Sequence, residues 1–171
     1  MKYANDIATL QDLMLLQLKG LYDTEMQWSS AMGELASKIS SSELVRLFRE
    51  SGQIAAKHAR VIQNILKQFG ENAVAPKNII ARDLIKEFDE LCESAADDEV
   101  LNAGLIVSHQ SMNHYKIVRY GSVASFARLL RMEKIATFLH EIMEEEKRDD
   151  KALTELAEEK INVKAKFVYL L

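Results

Sequence analysis

The sequence predicts an all-α protein, a bundle of four long helices with one long crossover that carries a short extra helix. Three observations carry that prediction. Apolar residues recur at helical spacing through most of the 171 residues. One Pro and six Gly in that length leave room for long uninterrupted helices. The helices come in the order long, long, short, long, long, with the short one inside a long connection.

The first helix is predicted over about residues 5–37. Leu10, Leu13, Met14, Leu18, Leu21, Trp28, Met32 and Leu35 mark its apolar stripe. Ser40 and Glu43 suit a capping box for the second helix. That helix runs to about Phe69, with Leu44, Leu47, Phe48, Ile54, Val61, Ile62 and Ile65 on one face. "GENAVAPKN" breaks the pattern: Gly70 can end a helix and Pro76 prevents its continuation. A shorter helix follows over about 78–94, marked by Ile80, Leu84, Phe88 and Leu91. The fourth is predicted over about 98–120, with a kink at Gly121 and a continuation through "SVASFARLLRM". The last runs from about Met132 to Ala157 or beyond. A short turn makes the first two long helices antiparallel, and a long connection lets the chain cross to the other pair. This is the helix order of a ferritin-like fold. Residues 1–171 are one such domain, and residues 161–171 form an apolar, β-branched tail that can dock on the body or on a partner.

Composition narrows the function. The net charge is −4 with Lys and Arg scattered, which is no nucleic-acid footprint. No stretch approaches the roughly 18 apolar residues of a membrane span. The single Cys92 excludes an internal disulfide and a Cys-based zinc site, and nothing marks it as reactive. The N-terminus lacks a signal peptide's apolar run, so the expected location is cytoplasmic.

Polar residues interrupt the apolar stripes. Glu25 stands among Leu18, Leu21, Trp28 and Met32, and His58 among Phe48, Ala55 and Ile62. On the fourth helix His109, Lys116 and Tyr120 share a face with Leu105 and Met112, with Asn113 beside it. On the last, Glu146 and Asp149 or Asp150 follow Ile135, Leu139 and Ile142. A buried carboxylate is costly unless it is paired, hydrogen-bonded or metal-bound. One intruder per helix near mid-length predicts a shared polar level, which is how a bundle builds a metal site. Carboxylates and imidazole suit iron or manganese. Each residue also has a plainer reading: Glu25 as a stripe-edge acid, His58 as a hydrogen-bonded boundary histidine, "EEEKRDD" as a solvated face. The Glu-x-x-His pair of di-iron bundles occurs nowhere in the sequence. An ammonium cannot ligate, so Lys116 is expected to neutralise Glu25 or Glu146 as a buried ion pair.

"LKGLYDTEMQW", "NHYKIVRYG" and "MEEEKRDDKALTELA" resemble, in order, motifs of the YciE/YciF-type ferritin-like bacterial stress proteins. The resemblance spans about residues 13–157. It implies a ferritin-like bundle, commonly dimeric, with a dinuclear metal centre and no assigned activity. Carried over by position, Glu25, Glu146 and Asp150 keep family acids, His114 and Tyr115 keep an HY pair, and His58 matches a position that is often His or Gln. The family's second-helix acids are replaced by Gln53 and Ile54, and two acids of the fourth helix by Asn113 and Lys116.

The expectation is therefore a noncatalytic, stress-related or structural bundle, a cytoplasmic homodimer with a degenerate metal centre and no resident cofactor. Glu25, His58, Glu146 and Asp150 are its residual metal-site residues, and Gln53, Asn113 and Lys116 their polar-core partners. Enzymatic activity is left open. One alternative is an iron- or manganese-binding protein with peroxide-reducing or iron-oxidising chemistry, using those four residues as ligands. Another is an interaction module in which the "FVYLL" tail and one bundle face dock an unidentified protein.

Overall fold

A computed structural model describes residues 7–74 and 77–166. These residues are helical with no strand among them. The helices are α1 (Leu10–Leu35), α2 (Ser42–Gln68), α3 (Ile79–Ser94), α4 (Asp98–Leu129), α5 (Glu133–Leu156) and α6 (Asn162–Lys166). None is long and apolar enough to cross a membrane. The predicted Asn5 start, Pro76 and the "FVYLL" part of the tail lie outside the described residues.

Local chemistry fixes the helix ends. α1 begins behind a capping box, in which Thr9 Oγ1 accepts from the Asp12 N–H (3.1 Å) and Asp12 Oδ2 accepts from the Thr9 N–H (2.8 Å). The cap of α2 is Ser41, one residue later than predicted, and its side chain faces the Leu44 N–H. Ser40 is used elsewhere: its hydroxyl accepts from Asn102 Nδ2 at 2.9 Å. Glu43 pairs with Lys160 instead of closing a capping box. At the far end of α2, Gly70 takes φ +71° and the Glu71 N–H bonds Leu66 O while the Gly70 N–H bonds Lys67 O. This is a Schellman stop, which favours glycine at the left-handed position. α4 ends the same way on Arg131 (φ 59°).

The predicted kink at Gly121 is absent. α4 runs unbroken for 32 residues, and a Cβ at Gly121 would lie 3.2 Å from Met143 Sδ. The glycine serves close approach of α5, not a bend. α5 does not stop at Leu156. It widens into one π-helical turn (Ala157–Ile161) and continues as α6, with Ile161 buried against the body.

α1 packs along α2 and α4 along α5, and the pairs meet through α1–α4 and α2–α5. Short connections make each pair antiparallel: the start of α1 (Met14) shares a cluster with the end of α2 (Ile65), and the end of α4 (Val123) with the start of α5 (Leu139). α2 and α4 therefore run the same way, which requires the long crossover. α3 rides in that crossover and is tied to α1. Asn78 Oδ1 caps its first turn, the Asn78 N–H donates to Asp23 Oδ2 (2.6 Å), and Phe88 packs edge-on against Trp28.

The α1–α2 contact depends on Gly52. A Cβ there would lie 2.8 Å from Met32 Cβ, an atom fixed to the backbone of α1. Gly52→Ala gains about 1 kcal/mol of helix propensity. It must also push the helices apart, at about 1–3 kcal/mol. The expected net result is a lower urea midpoint, and a stabilised variant would refute the close approach.

The core is split. One apolar cluster gathers Trp28, Met32, Phe48, Phe88, Leu105, Met112 and Leu153. The other gathers Met14, Leu18, Leu21, Ile62, Tyr120, Val123 and Leu139. Between them lies a layer of buried polar side chains, with at least one from each long helix.

Candidate functional site

That layer holds Glu25 from α1, His58 from α2, Lys116 from α4 and Glu146 from α5, all buried. Each occupies an apolar-stripe position at mid-helix, so the helical repeat alone brings the four together. Lys116 Nζ donates to Glu146 Oε1 at 2.7 Å and lies 3.5 Å from Glu25 Oε2. Tyr120, one turn along α4, donates its hydroxyl to Glu25 Oε1 at 2.7 Å. His58 Nδ1 faces Glu146 Oε1 at 3.3 Å and Glu25 Oε1 at 3.5 Å, but neither contact is an aligned hydrogen bond. Its other nitrogen, Nε2, is 2.7 Å from Glu145 Oε2, and the Glu145 side chain is 45% exposed. His58 thus links the centre to the surface.

The charges balance. Burial pushes the Glu25 carboxyl up, but Lys116, His58 and the Tyr120 hydroxyl outweigh it and hold it below its ordinary value. Burial pulls Lys116 down, and Glu146 and Glu25 reverse that and raise it. Burial also opposes the imidazolium of His58, yet the Glu146 and Glu25 carboxylates raise it to about 10. Tyr120 is driven well above its ordinary value, by burial first and then by Glu25. At neutral pH one ammonium and one imidazolium therefore face two buried carboxylates. The set is neutral, as burial demands.

A second polar group sits toward the Trp28 end of the layer. Trp28 Nε1 donates to Ser51 Oγ (3.0 Å), and Ser51 Oγ lies 3.1 Å from His109 Nε2. The same His109 nitrogen is 2.9 Å from Asp149 Oδ2, which also accepts from Asn113 Nδ2 (3.0 Å). Ser, His and Asp in contact suggest a nucleophile relay. A relay needs the acid on one ring nitrogen and the hydroxyl on the other. Here one nitrogen serves both, so the group is a structural network.

Of the residues singled out from sequence, Glu25, His58, Glu146 and Lys116 converge. Asn113 is buried but serves Asp149, not Glu146. Two placements are corrected. Gln53 is exposed and takes no part in the layer, because it lies off the buried face of α2. Asp150 does not join Glu25, His58 and Glu146; its Oδ1, buried and without a hydrogen-bond partner, lies 3.4 Å from Nε2 of the exposed His114. Asp149 turns inward instead, because His109 and Asn113 offer it donors. Three participants have no role assigned from the sequence. Ser51 and Tyr120 lie on the stripes, Tyr120 on the face it shares with His109 and Lys116. Glu145 gave no signal inside its charged run.

The dinuclear centre implied by the family resemblance does not fit these residues. His58 Nδ1 and one oxygen each of Glu25 and Glu146 lie within 4.8 Å of one another, a donor set for a single ion. Lys116 adds a positive charge directly on two of those carboxylates. Among the described residues no second group of three such donors lies close enough together to hold another ion.

Comparisons with known proteins agree with this architecture. The model of the family described as "Domain of unknown function (DUF892)" matches residues 9–166. Protein YciF of Escherichia coli (strain K12) is 31% identical over 163 residues, 94% of this chain and 97% of that protein. The crystal structure of the E. coli stress protein YciF superposes with a TM-score of 0.86 at 30% identity, covering 91% of this chain and 99% of that one. YcfI of Rhodopseudomonas palustris superposes with a TM-score of 0.84 at 28% identity, covering 89% and 97%. The chain therefore belongs to the DUF892 family and is a YciF-like protein.

Proposed function

We propose that the protein is a noncatalytic, stress-related or structural ferritin-like four-helix bundle, a cytoplasmic homodimer whose metal centre has been replaced by an internal ion-pair network. The observation that carries this reading is the Lys116 ammonium, 2.7 Å from Glu146 and 3.5 Å from Glu25. It supplies, from the chain itself, the positive charge that buried carboxylates otherwise take from a metal. The stress-related part rests on similarity to YciF, a stress protein of E. coli.

A second reading is favoured by a different observation. Three donors lie within 4.8 Å, and His58 Nδ1 has no hydrogen-bond partner. With Lys116 swung aside, Glu25, His58 and Glu146 present the carboxylate and imidazole donors that suit one iron or manganese ion.

Elemental analysis separates the two. The protein is expressed with added iron and manganese and purified without chelator or metal-affinity tag. The expected result is no stoichiometric metal in a fully helical protein. Near-stoichiometric metal, lost in Glu146→Ala, would overturn the first reading in favour of the second. The sedimentation mass of the same preparation, expected at two chains, tests the homodimer.

A further inference from the structure

From Val107 to Leu129, α4 turns one narrow stripe to water. Val107, Ser111, His114, Val118, Ser122, Ser125 and Leu129 fall within an arc of about 80° at 3.6 residues per turn. Val107, Val118 and Leu129 are 62%, 67% and 72% exposed, and each stands about three turns from the next. Among the exposed positions of this span, Arg128 at the stripe's edge is the one Lys, Arg, Asp or Glu. α5, over a similar length, exposes Glu133, Lys134, Glu141, Glu145, Lys147 and Arg148. Large apolar side chains in line on an uncharged strip mark a surface made to be covered. Two of its three serines are already prepared for burial. Ser111 Oγ donates to Val107 O at 3.0 Å and Ser122 Oγ to Val118 O at 2.9 Å, so neither hydroxyl proton loses its partner when water leaves.

We propose, resting on the homodimer reading above, that a second copy of the chain docks on this stripe, the two α4 helices meeting antiparallel about a two-fold axis at Val118. The order of the stripe selects that occupant. A two-fold contact requires that residue i meets j and j meets i. Reversed about Val118, the stripe matches itself: Val107 meets Leu129, Ser111 meets Ser125, His114 meets Ser122, and Val118 meets its own counterpart. Large apolar side chains fall on large apolar ones, a small hydroxyl on a small hydroxyl, and the imidazole on a hydroxyl. Charge selects it too. A chain of net charge −4 repels its own copy, and an uncharged strip is where two copies meet with least repulsion. The size also suits. Val107 to Leu129 spans about 33 Å. A contact about 24 Å wide, roughly two helix diameters, then reaches the ~800 Å² per partner of a stable interface.

Sedimentation and cross-linking test this, with the native thiol removed by Cys92→Ser. The parent is expected at two chains. Val118→Cys in that background is expected to join two chains through a short bismaleimide, because only a residue on the axis lies beside its own counterpart. Val107→Cys and Leu129→Cys are each expected to fail alone, since the equivalent residues then lie about 33 Å apart, and to cross-link when the two are mixed. Val118→Glu, at an exposed position, is expected to halve the sedimentation mass with helical content unchanged. A parent of one chain would refute the homodimer reading and this interface with it. A two-chain parent that lacks the Val118→Cys cross-link, or whose Val118→Glu variant keeps the two-chain mass, would overturn the α4 face and leave the homodimer reading standing. Self-cross-linking of Val107→Cys would overturn the antiparallel register.

Discussion

Lys116→Met is expected to destabilise the protein by about 3–5 kcal/mol, lowering Tm by roughly 6–20 °C for a domain of this size. Methionine nearly matches the lysine stem in length, so little of the loss comes from packing. The cost comes from the carboxylates left behind. Glu25 and Glu146 are buried at mid-bundle, and without the ammonium only His58 and Tyr120 face them. Breaking one partner out of a buried pair leaves an uncompensated charge, which costs more than the intact pair contributes. High salt should not restore stability, because counter-ions do not reach a buried site. Lowering the pH should restore part of it, because a protonated carboxyl needs no counter-charge. The contrasting variant neutralises the whole group, Lys116→Met with Glu25→Gln and Glu146→Gln. It should recover much of the loss, since uncharged replacements of a buried ion pair are often neutral or better. Urea unfolding reads all of these. A loss below about 1 kcal/mol in Lys116→Met, the range of exposed pairs, would refute the charge-balance account of the layer.

The helices were legible because their stripes are long and regular, and breaks at Gly70 and after Ser94 are chemically explicit. Glu25, His58, Lys116 and Glu146 were legible for the same reason: each is a polar residue where the repeat demands an apolar one. What was not legible depends on partners across the bundle. Asp149 and Asp150 lie three and four residues after Glu146, both allowed neighbours on that face. His109 and Asn113 on the facing helix decide between them, and no repeat within α5 encodes that. Gln53 was placed by family alignment, which carries no information about which face of α2 it occupies here. Gly121 looked like a hinge because glycine favours bends. The sulfur of Met143, on another helix, makes it a contact point. Tyr120 is the reverse case, an aromatic that reads as core and is core, yet whose hydroxyl completes the Glu25 site.

The second large effect is a stability profile that falls on the alkaline side. His58 is raised from its ordinary 6.5 to about 10 in the folded protein. A group with a raised folded pKa contributes fully below its unfolded value and loses the contribution as pH climbs through the folded one. The window here is pH 6.5 to about 10. At about 1.4 kcal/mol per unit, the loss across it should be on the order of 5 kcal/mol. Glu25 acts in the opposite sense: its folded pKa is lowered, so its contribution is present above 4.5 and is lost as pH falls through the folded value. Asp149, held down by His109 and Asn113 against the effect of burial, adds to the acid side. Stability should therefore peak between about pH 4.5 and 6.5. His58→Gln keeps a donor toward Glu145 but cannot carry the charge. It should be weaker than the parent at pH 6, lack the slope between 6.5 and 10, and converge with the parent near pH 10. That convergence separates a charge role for His58 from a packing role, since a packing defect would leave the two curves parallel at every pH. A parent protein equally stable at pH 6.5 and 9.5 would show that the imidazole is not held protonated, and with it would fall the neutral four-charge centre.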